Sequence, residues 1–270
     1  MKLGFSLSPG GLLLPYHLGA LDALEYRGFL HDGTPLAGAS AGAIATASKA
    51  AKIDSRRVLD ATIDICDRCF ELGGARGRLM PLLKQNLETQ MGDDQFRTLT
   101  QRKGGVAISY MEIFPKRRAV LQTEFRDRSD LMSAVCHSSM FPFFTSNWPA
   151  ILDTSRRQMR IVVDGVFAVP FEQVGCPDFK TAGIDVDRTV RISVVPQALL
   201  GHEAGSREDS ISPRWEGAYQ LGRLVRLATE GSSRKELTSL YESGWSDAEK
   251  WCRIESSRRI DLLDARTSLN

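Results

Sequence analysis

Apolar residues at Leu3, Phe5 and Leu7 give way to apolar residues at Leu18, Leu21 and Leu24, with Ser8-Pro9-Gly10-Gly11 at the break. The spacing changes from that of a strand to that of one helix face, which predicts a strand over 3–7, a turn, and a helix over 16–27. Pro35-Leu36-Ala37 reads as a second strand, and the stretch from Ala41 to Lys52 consists almost wholly of small residues, which suits a helix pressed against a sheet. Further strands are predicted at 106–109, 118–125, 160–163 and 190–195, and helical patterns over 54–71, 78–91 and 130–139 separate most of them. This alternation predicts an α/β fold with a mostly parallel central sheet covered on both faces. Residues 205–213 are polar and hinge-like, and 214–229 and 234–254 read as two helices that pack back. The expected organisation is a main domain over 1–204 followed by a helical extension over 205–270 on the same body.

Composition acts mainly by exclusion. The 270 residues carry a formal net charge of +2 with 25% charged residues, too balanced to imply a nucleic-acid partner, while 42% hydrophobic content supports a large core. No apolar run approaches the roughly 20 residues needed to cross a bilayer, so any membrane contact is expected to be peripheral. The N-terminus shows no charged leader, long apolar core or cleavage site, and is expected to be that of the mature chain. Five cysteines in no repeating pattern argue against a disulfide framework and point to a reducing, cytoplasmic setting. Cys66 and Cys69 form a C-x-x-C at helical spacing, but no second pair or His-x-x-x-His follows, so they read as thiols near a buried helix face. No metal site and no cofactor are expected.

The chemistry starts at Gly38-Ala39-Ser40-Ala41-Gly42. A serine flanked by glycine at i−2 and i+2, between a strand and a helix, marks a nucleophile elbow, because side chains at the flanking positions would strike neighbouring backbone. An acyl hydrolase also needs donors for the developing oxyanion and a base. Gly10 and Gly11 can present backbone N–H groups at a helix N-terminus, whereas Pro9 has none. For the base, His17, His31 and His137 fit poorly. His202 has the chain order of an α/β-hydrolase triad, although Ser40 comes early in the chain for that fold. Asp164, ending Ile161-Val162-Val163-Asp164-Gly165, can take the proton if its strand lies close to Ser40.

Taken together, these motifs resemble the patatin-like phospholipases, over about 3–170. Ser8-Pro9-Gly10-Gly11 with Tyr16-His17-Leu18-Gly19-Ala20-Leu21 resembles the glycine-rich oxyanion segment, Gly38 to Gly42 the elbow, and Asp164-Gly165 the acid motif. Thr123-Glu124-Phe125 through Ser129, Leu131, Ala134 and Ser138-Ser139-Met140-Phe141-Pro142 resembles the stretch before the acid in the adiponutrin and adipose triglyceride lipase branch. The resemblance implies a three-layer α/β/α sandwich with 1–204 as the catalytic domain. It also implies a Ser40–Asp164 dyad without histidine, Gly10 and Gly11 as oxyanion donors, an acyl-serine intermediate, and phospholipid, galactolipid or acylglycerol substrates. Pro9 and Leu14 stand where the family usually has glycine, Leu13 where it is often basic, and Val166 to Pro170 where a second glycine and an asparagine are common. The competing expectations are a Ser-His-Asp carboxylesterase using His202 and a weakly active lipid-binding protein on the same fold.

A lipid substrate implies contact with a membrane or lipid-droplet surface. Arg76-Gly77-Arg78, Arg102-Lys103, Lys116-Arg117-Arg118 and Arg156-Arg157 are the basic runs that could steer it, beside Leu79, Met80, Phe114 and Trp148. Phe141, Phe143 and Phe144 are candidates for an acyl pocket, while Trp215, Trp245, Trp251, Tyr219 and Tyr241 read as docking residues of the C-terminal helices.

Overall fold

The computed structural model describes residues 2–155, 158–169, 173–196, 209–213 and 218–267, the side chains of 218–221 and 261–267 excepted. His202, Trp215, Pro170, Arg156 and Arg157, and the side chain of Tyr219, therefore lie outside the described residues.

The chain opens as its apolar spacing predicts, with β1 (Leu3–Leu7), a 3-10 turn over Gly11–Leu13 and α1 (Leu14–Tyr26). There follow β2 (Leu36–Ala39), α2 (Ala41–Ala50), α3 (Ser55–Glu71), α4 (Leu79–Gln90) and α5 (Asp93–Thr100). Asp54 starts α3 by accepting the Arg56 N–H at 2.9 Å. The second half holds β3 (Val106–Phe114), β4 (Arg118–Gln122), α6 (Arg128–Ser138), β5 (Ile151–Asp153), β6 (Arg160–Val163), β7 (Arg188–Ile192), β8 (Ser210–Ile211), α7 (Ala218–Thr229) and α8 (Arg234–Thr267). Strand β8 lies within the stretch read as a hinge, and pairs in parallel with β7.

The eight strands of the described residues join one sheet. Strands β8, β7, β1, β2 and β3 run parallel in that spatial order, whereas β4 and β6 are antiparallel to β3 and β5 is antiparallel to β6. The register on β3 positions the site. Gly38 of β2 and Gln122 of β4 both pair with Ile108, and Val163 of β6 and Ala119 of β4 both pair with Met111. Strands β2 and β6 therefore occupy the same edge of β3, one after the other, and their carboxyl ends meet head-on beside Ser109 and Tyr110.

Phe5, Leu7, Leu36, Ile108 and Tyr110 bury one face of the sheet against the helices. Helix α8 crosses α1 at backbone contact: a Cβ on Gly19 would lie 1.9 Å from the Tyr241 carbonyl oxygen, and one on Gly244 2.0 Å from that of Tyr16. Trp251 of α8 then reaches the rings of Phe5 and Phe29, at 6.0 and 5.3 Å between centroids. On the opposite face Ala37 and Ala107 pack against Phe179, and a Cβ on Gly4 would lie 2.7 Å from that ring. Among the described residues this second covering is a 3-10 turn (Phe179–Ala182) and loop rather than a long helix.

Candidate active site

Ser40 sits between β2 and α2 at φ 53° and ψ −120°, a left-handed backbone conformation that L residues seldom adopt outside strained turns. Both glycines of the motif are required by contact. A Cβ on Gly38 would lie 2.2 Å from the Gly42 carbonyl oxygen, and one on Gly42 2.6 Å from the Leu7 carbonyl oxygen. The elbow thus folds onto β1, and the Ser40 hydroxyl remains at the carboxyl edge of the sheet with 9% of the residue exposed.

Asp164 directly follows β6, so the head-on meeting of β2 and β6 brings it to Ser40. The Ser40 Oγ donates to Asp164 Oδ2 at 2.9 Å, while Oδ1 accepts the Val166 N–H at 2.8 Å. Asp164 is 1% exposed, and this burial pushes its carboxyl from the ordinary range up to about 7, against the opposing pull of the Val166 N–H and the Ser40 hydroxyl. The carboxyl group is thus placed to change protonation near neutrality.

The end of α6 supports both residues. Ser138 Oγ accepts the Ser40 N–H at 2.8 Å and donates to the Ser109 carbonyl at 2.6 Å, and the Met140 carbonyl accepts the Asp164 N–H at 2.9 Å. The sequence pattern included Ser138 and Met140 but gave them no role, since their function lies in where α6 stops. Ser138→Ala leaves a buried N–H without an acceptor, which costs about 1–3 kcal/mol. The expected result is a fall in kcat of about 10- to 100-fold with little change in KM, read by steady-state kinetics on a soluble ester, because a positioning residue acts on the reacting geometry.

Gly10 and Gly11 lie in the first loop on the same edge. Gly11 has φ 54°, and a Cβ there would lie 2.5 Å from the Ala228 carbonyl oxygen of α7; one on Gly10 would lie 2.9 Å from Val194. Among the described residues neither N–H is engaged by an acceptor. Buried His17 supports this loop from below. Its Nε2–H donates to the Ser8 carbonyl at 2.8 Å, and burial lowers its pKa to about 4, so the ring is neutral. His31 Nδ1 accepts the Gly33 N–H, and His137 lies near Asp153 and the Tyr110 ring. None of these three histidines bonds to Ser40.

A family model described as patatin-like phospholipase matches residues 5–174. The chain belongs to the patatin-like phospholipase family. Comparison with curated proteins finds no match. Among solved structures, VipD from Legionella pneumophila matches with a TM-score of 0.47 and 12% identity, over 90% of this chain and 67% of that one. The ExoU–SpcU complex of the Pseudomonas aeruginosa type III secretion system matches with a TM-score of 0.46 and 18% identity, over 93% of this chain and 52% of that one.

Two spaces open at Ser40 of this patatin-like chain. The outer cleft, of about 790 Å³, is lined by Gly10, Gly11, Ser40, Asp164 and, at its rim, Phe141 and Phe143. The three phenylalanines named from sequence, Phe141, Phe143 and Phe144, border this outer cleft and not the deeper space. That deeper cavity, narrow and apolar, lies between α2, α3 and α4. The departures from the family pattern are absorbed locally. Pro9 packs on Gly175, where a Cβ would lie 2.5 Å from the proline ring, Leu13 and Leu14 are buried, and the Val166 N–H caps Asp164 in a 3-10 turn.

The basic runs divide. Arg76 lines the outer cleft, whereas the Arg102 side chain is buried, bonded to the carbonyls of His31 and Thr34 at the opposite end of β2, and Arg118 is paired with Glu112. Arg102 is therefore structural and does not face the cleft. Cys66 and Cys69 lie buried on α3, and burial pushes the Cys66 thiol up to about 11.

Proposed function

We propose that this patatin-like chain is a lipid acyl hydrolase that cleaves carboxylic esters of glycerolipids through a Ser40–Asp164 dyad. The 2.9 Å bond from Ser40 Oγ to Asp164 Oδ2 carries the reading. In the first half-reaction the Asp164 carboxylate takes the Ser40 proton as Oγ attacks the ester carbonyl. The oxyanion that develops falls to the N–H groups of Gly10 and Gly11. Collapse expels the alcohol, which takes the proton from Asp164, and leaves an acyl-serine. Water then yields a proton to Asp164 and attacks the acyl carbon; collapse releases the fatty acid and returns the proton to Ser40.

Phospholipid or acylglycerol would be met at a surface. Exposed Phe141 and Phe143 line the cleft, exposed Phe167 packs against the Phe141 ring, and Trp148 lies exposed on the loop that carries Phe141 and Phe143. That loop is fixed outward by the Arg76 Nε bond to the Phe143 carbonyl at 3.1 Å and the Phe143 N–H bond to the Trp148 carbonyl at 3.2 Å. No helix of the described residues is long and apolar enough to cross a membrane. The exposed aromatic rim supports peripheral contact.

Intact-mass detection of a fluorophosphonate adduct on Ser40, with ester turnover measured from pH 5 to 9, tests the reading. The expected result is a single adduct and a kcat/KM that rises through about pH 7, where Asp164 loses its proton. A folded protein that neither takes the label nor hydrolyses an acyl ester would sink the proposal.

A further inference from the structure

The deeper cavity has a direction and a length. It shares Gly11, Ser40 and Thr145 with the outer cleft and has a volume of about 100 Å³, that of a narrow channel. Ser40, Ala41, Ile44 and Ser48 line it at the spacing of one face of α2. On α4 and its C-terminal cap the wall is formed by Met80, Leu83, Leu87 and Met91. Both helices start at the site: α2 begins just after Ser40, and the Met80 N–H at the head of α4 donates to the Thr145 carbonyl at 2.7 Å, on the loop that borders the cleft. The two helices therefore rule the channel in the same direction, away from the nucleophile.

The helix rise converts this into a distance. From Ser40 to Ser48 the axial advance is about 12 Å, and from Met80 to Met91 about 17 Å. An extended alkyl chain advances about 1.25 Å per carbon at tetrahedral geometry. Between Ser40 and the far end there is room for about 10 to 13 carbons. The wall is apolar along most of its length, and at the far end Ile53, Val58, Leu87 and Met91 stand beside Ser48 and Gln90. Methylenes gain apolar burial as far as the wall extends, and a chain longer than the channel gains none for its excess.

We infer that the channel between α2 and α4 selects acyl groups of medium length, about 10 to 13 carbons, with its far end at Ser48 and Met91 setting the limit. The inference rests on Ser40 being the acyl nucleophile. The test is internal competition: 4-methylumbelliferyl esters of even-numbered acids from butanoate to octadecanoate, equimolar in one mixed micelle, with released fatty acids counted by mass spectrometry. Wild type is expected to gain up to about fourfold in kcat/KM per added methylene until the channel is full, then to level and fall by hexadecanoate. Ser48→Phe, which blocks the channel two turns below Ser40, is expected to lower the ratio of dodecanoate to hexanoate release at least tenfold. Met91→Ala, which shortens a buried side chain at the far end, is expected to shift the optimum toward longer chains. Fluorophosphonate labelling of Ser40 reports that each variant retains a formed site. A wild-type profile that keeps rising through octadecanoate overturns the inference, as does an unchanged ratio in labelled Ser48→Phe, and in both cases Ser40 stands as nucleophile. Absence of both turnover and label in wild type overturns the nucleophile assignment and the inference with it.

Discussion

Ser40→Ala is expected to lower kcat/KM for acyl-ester hydrolysis by about five to six orders of magnitude and to abolish the fluorophosphonate adduct. The size of the loss follows from what the hydroxyl does. Without Oγ no acyl-enzyme can form, and Asp164 has no serine hydroxyl to activate. The Gly10 and Gly11 N–H groups and the cavity remain, so a residual rate well below that of the enzyme but above solution hydrolysis is the natural floor. The fold is expected to persist. Alanine meets the same backbone at φ 53° as serine does, and the elbow is held by the Gly38 and Gly42 contacts and by the Ser138 bond to the residue 40 N–H, none of which uses Oγ. Circular dichroism of the variant together with its kinetics separates lost chemistry from lost structure. Activity within tenfold of wild type would place the nucleophile elsewhere.

How much of this site could be read from the chain depends on how local each constraint is. The elbow was legible because its requirement is a backbone contact within a few residues, which glycine at positions 38 and 42 records directly. Asp164 was legible as an acid at a strand end, but its approach to Ser40 was not. That approach depends on the length of β3, whose sequence pattern predicts a strand only over 106–109, with the acidic Glu112 interrupting the apolar residues that follow. In the structure Glu112 is buried against Arg118 and Arg160, a pairing across three strands that lets β3 continue to Phe114 and offer β6 a place on the same edge as β2. Strand β8 was missed for a related reason: two residues, Ser210 and Ile211, carry no period, and only the free edge of β7 makes them a strand. The small residues of α2 correctly indicated close packing on the sheet. Their second consequence, a channel on the helix's other side, needed the positions of α3 and α4.

Asp164→Asn is expected to have two large effects of opposite kind. Turnover should fall by about 10³- to 10⁴-fold, the usual worth of a positioned general base, and the rise of kcat/KM through about pH 7 should disappear with the group that titrates. Geometry is expected to survive, because an asparagine can accept the Val166 N–H at one end and donate to Ser40 Oγ at the other. Stability should change the other way. Asp164 has a folded pKa of about 7 against an ordinary 3.8, so between these values the folded state binds the proton that the unfolded state has released. Stability contributed by this group is therefore complete below about pH 4, is lost as pH rises, and leaves a buried carboxylate above about pH 7. An amide has no charge to bury. The variant should match wild type at pH 4 and exceed it at pH 8.5 by at most a few kcal/mol, a rise of several degrees in Tm by differential scanning calorimetry. Equal Tm values at pH 8.5 would mean that the carboxylate is solvated in the free protein, and undiminished turnover in the variant would move the base to another group, His202 first. Loss of activity with a gain of stability confined to high pH is the signature of an acid buried for its chemistry, since a structural carboxylate would lose both together.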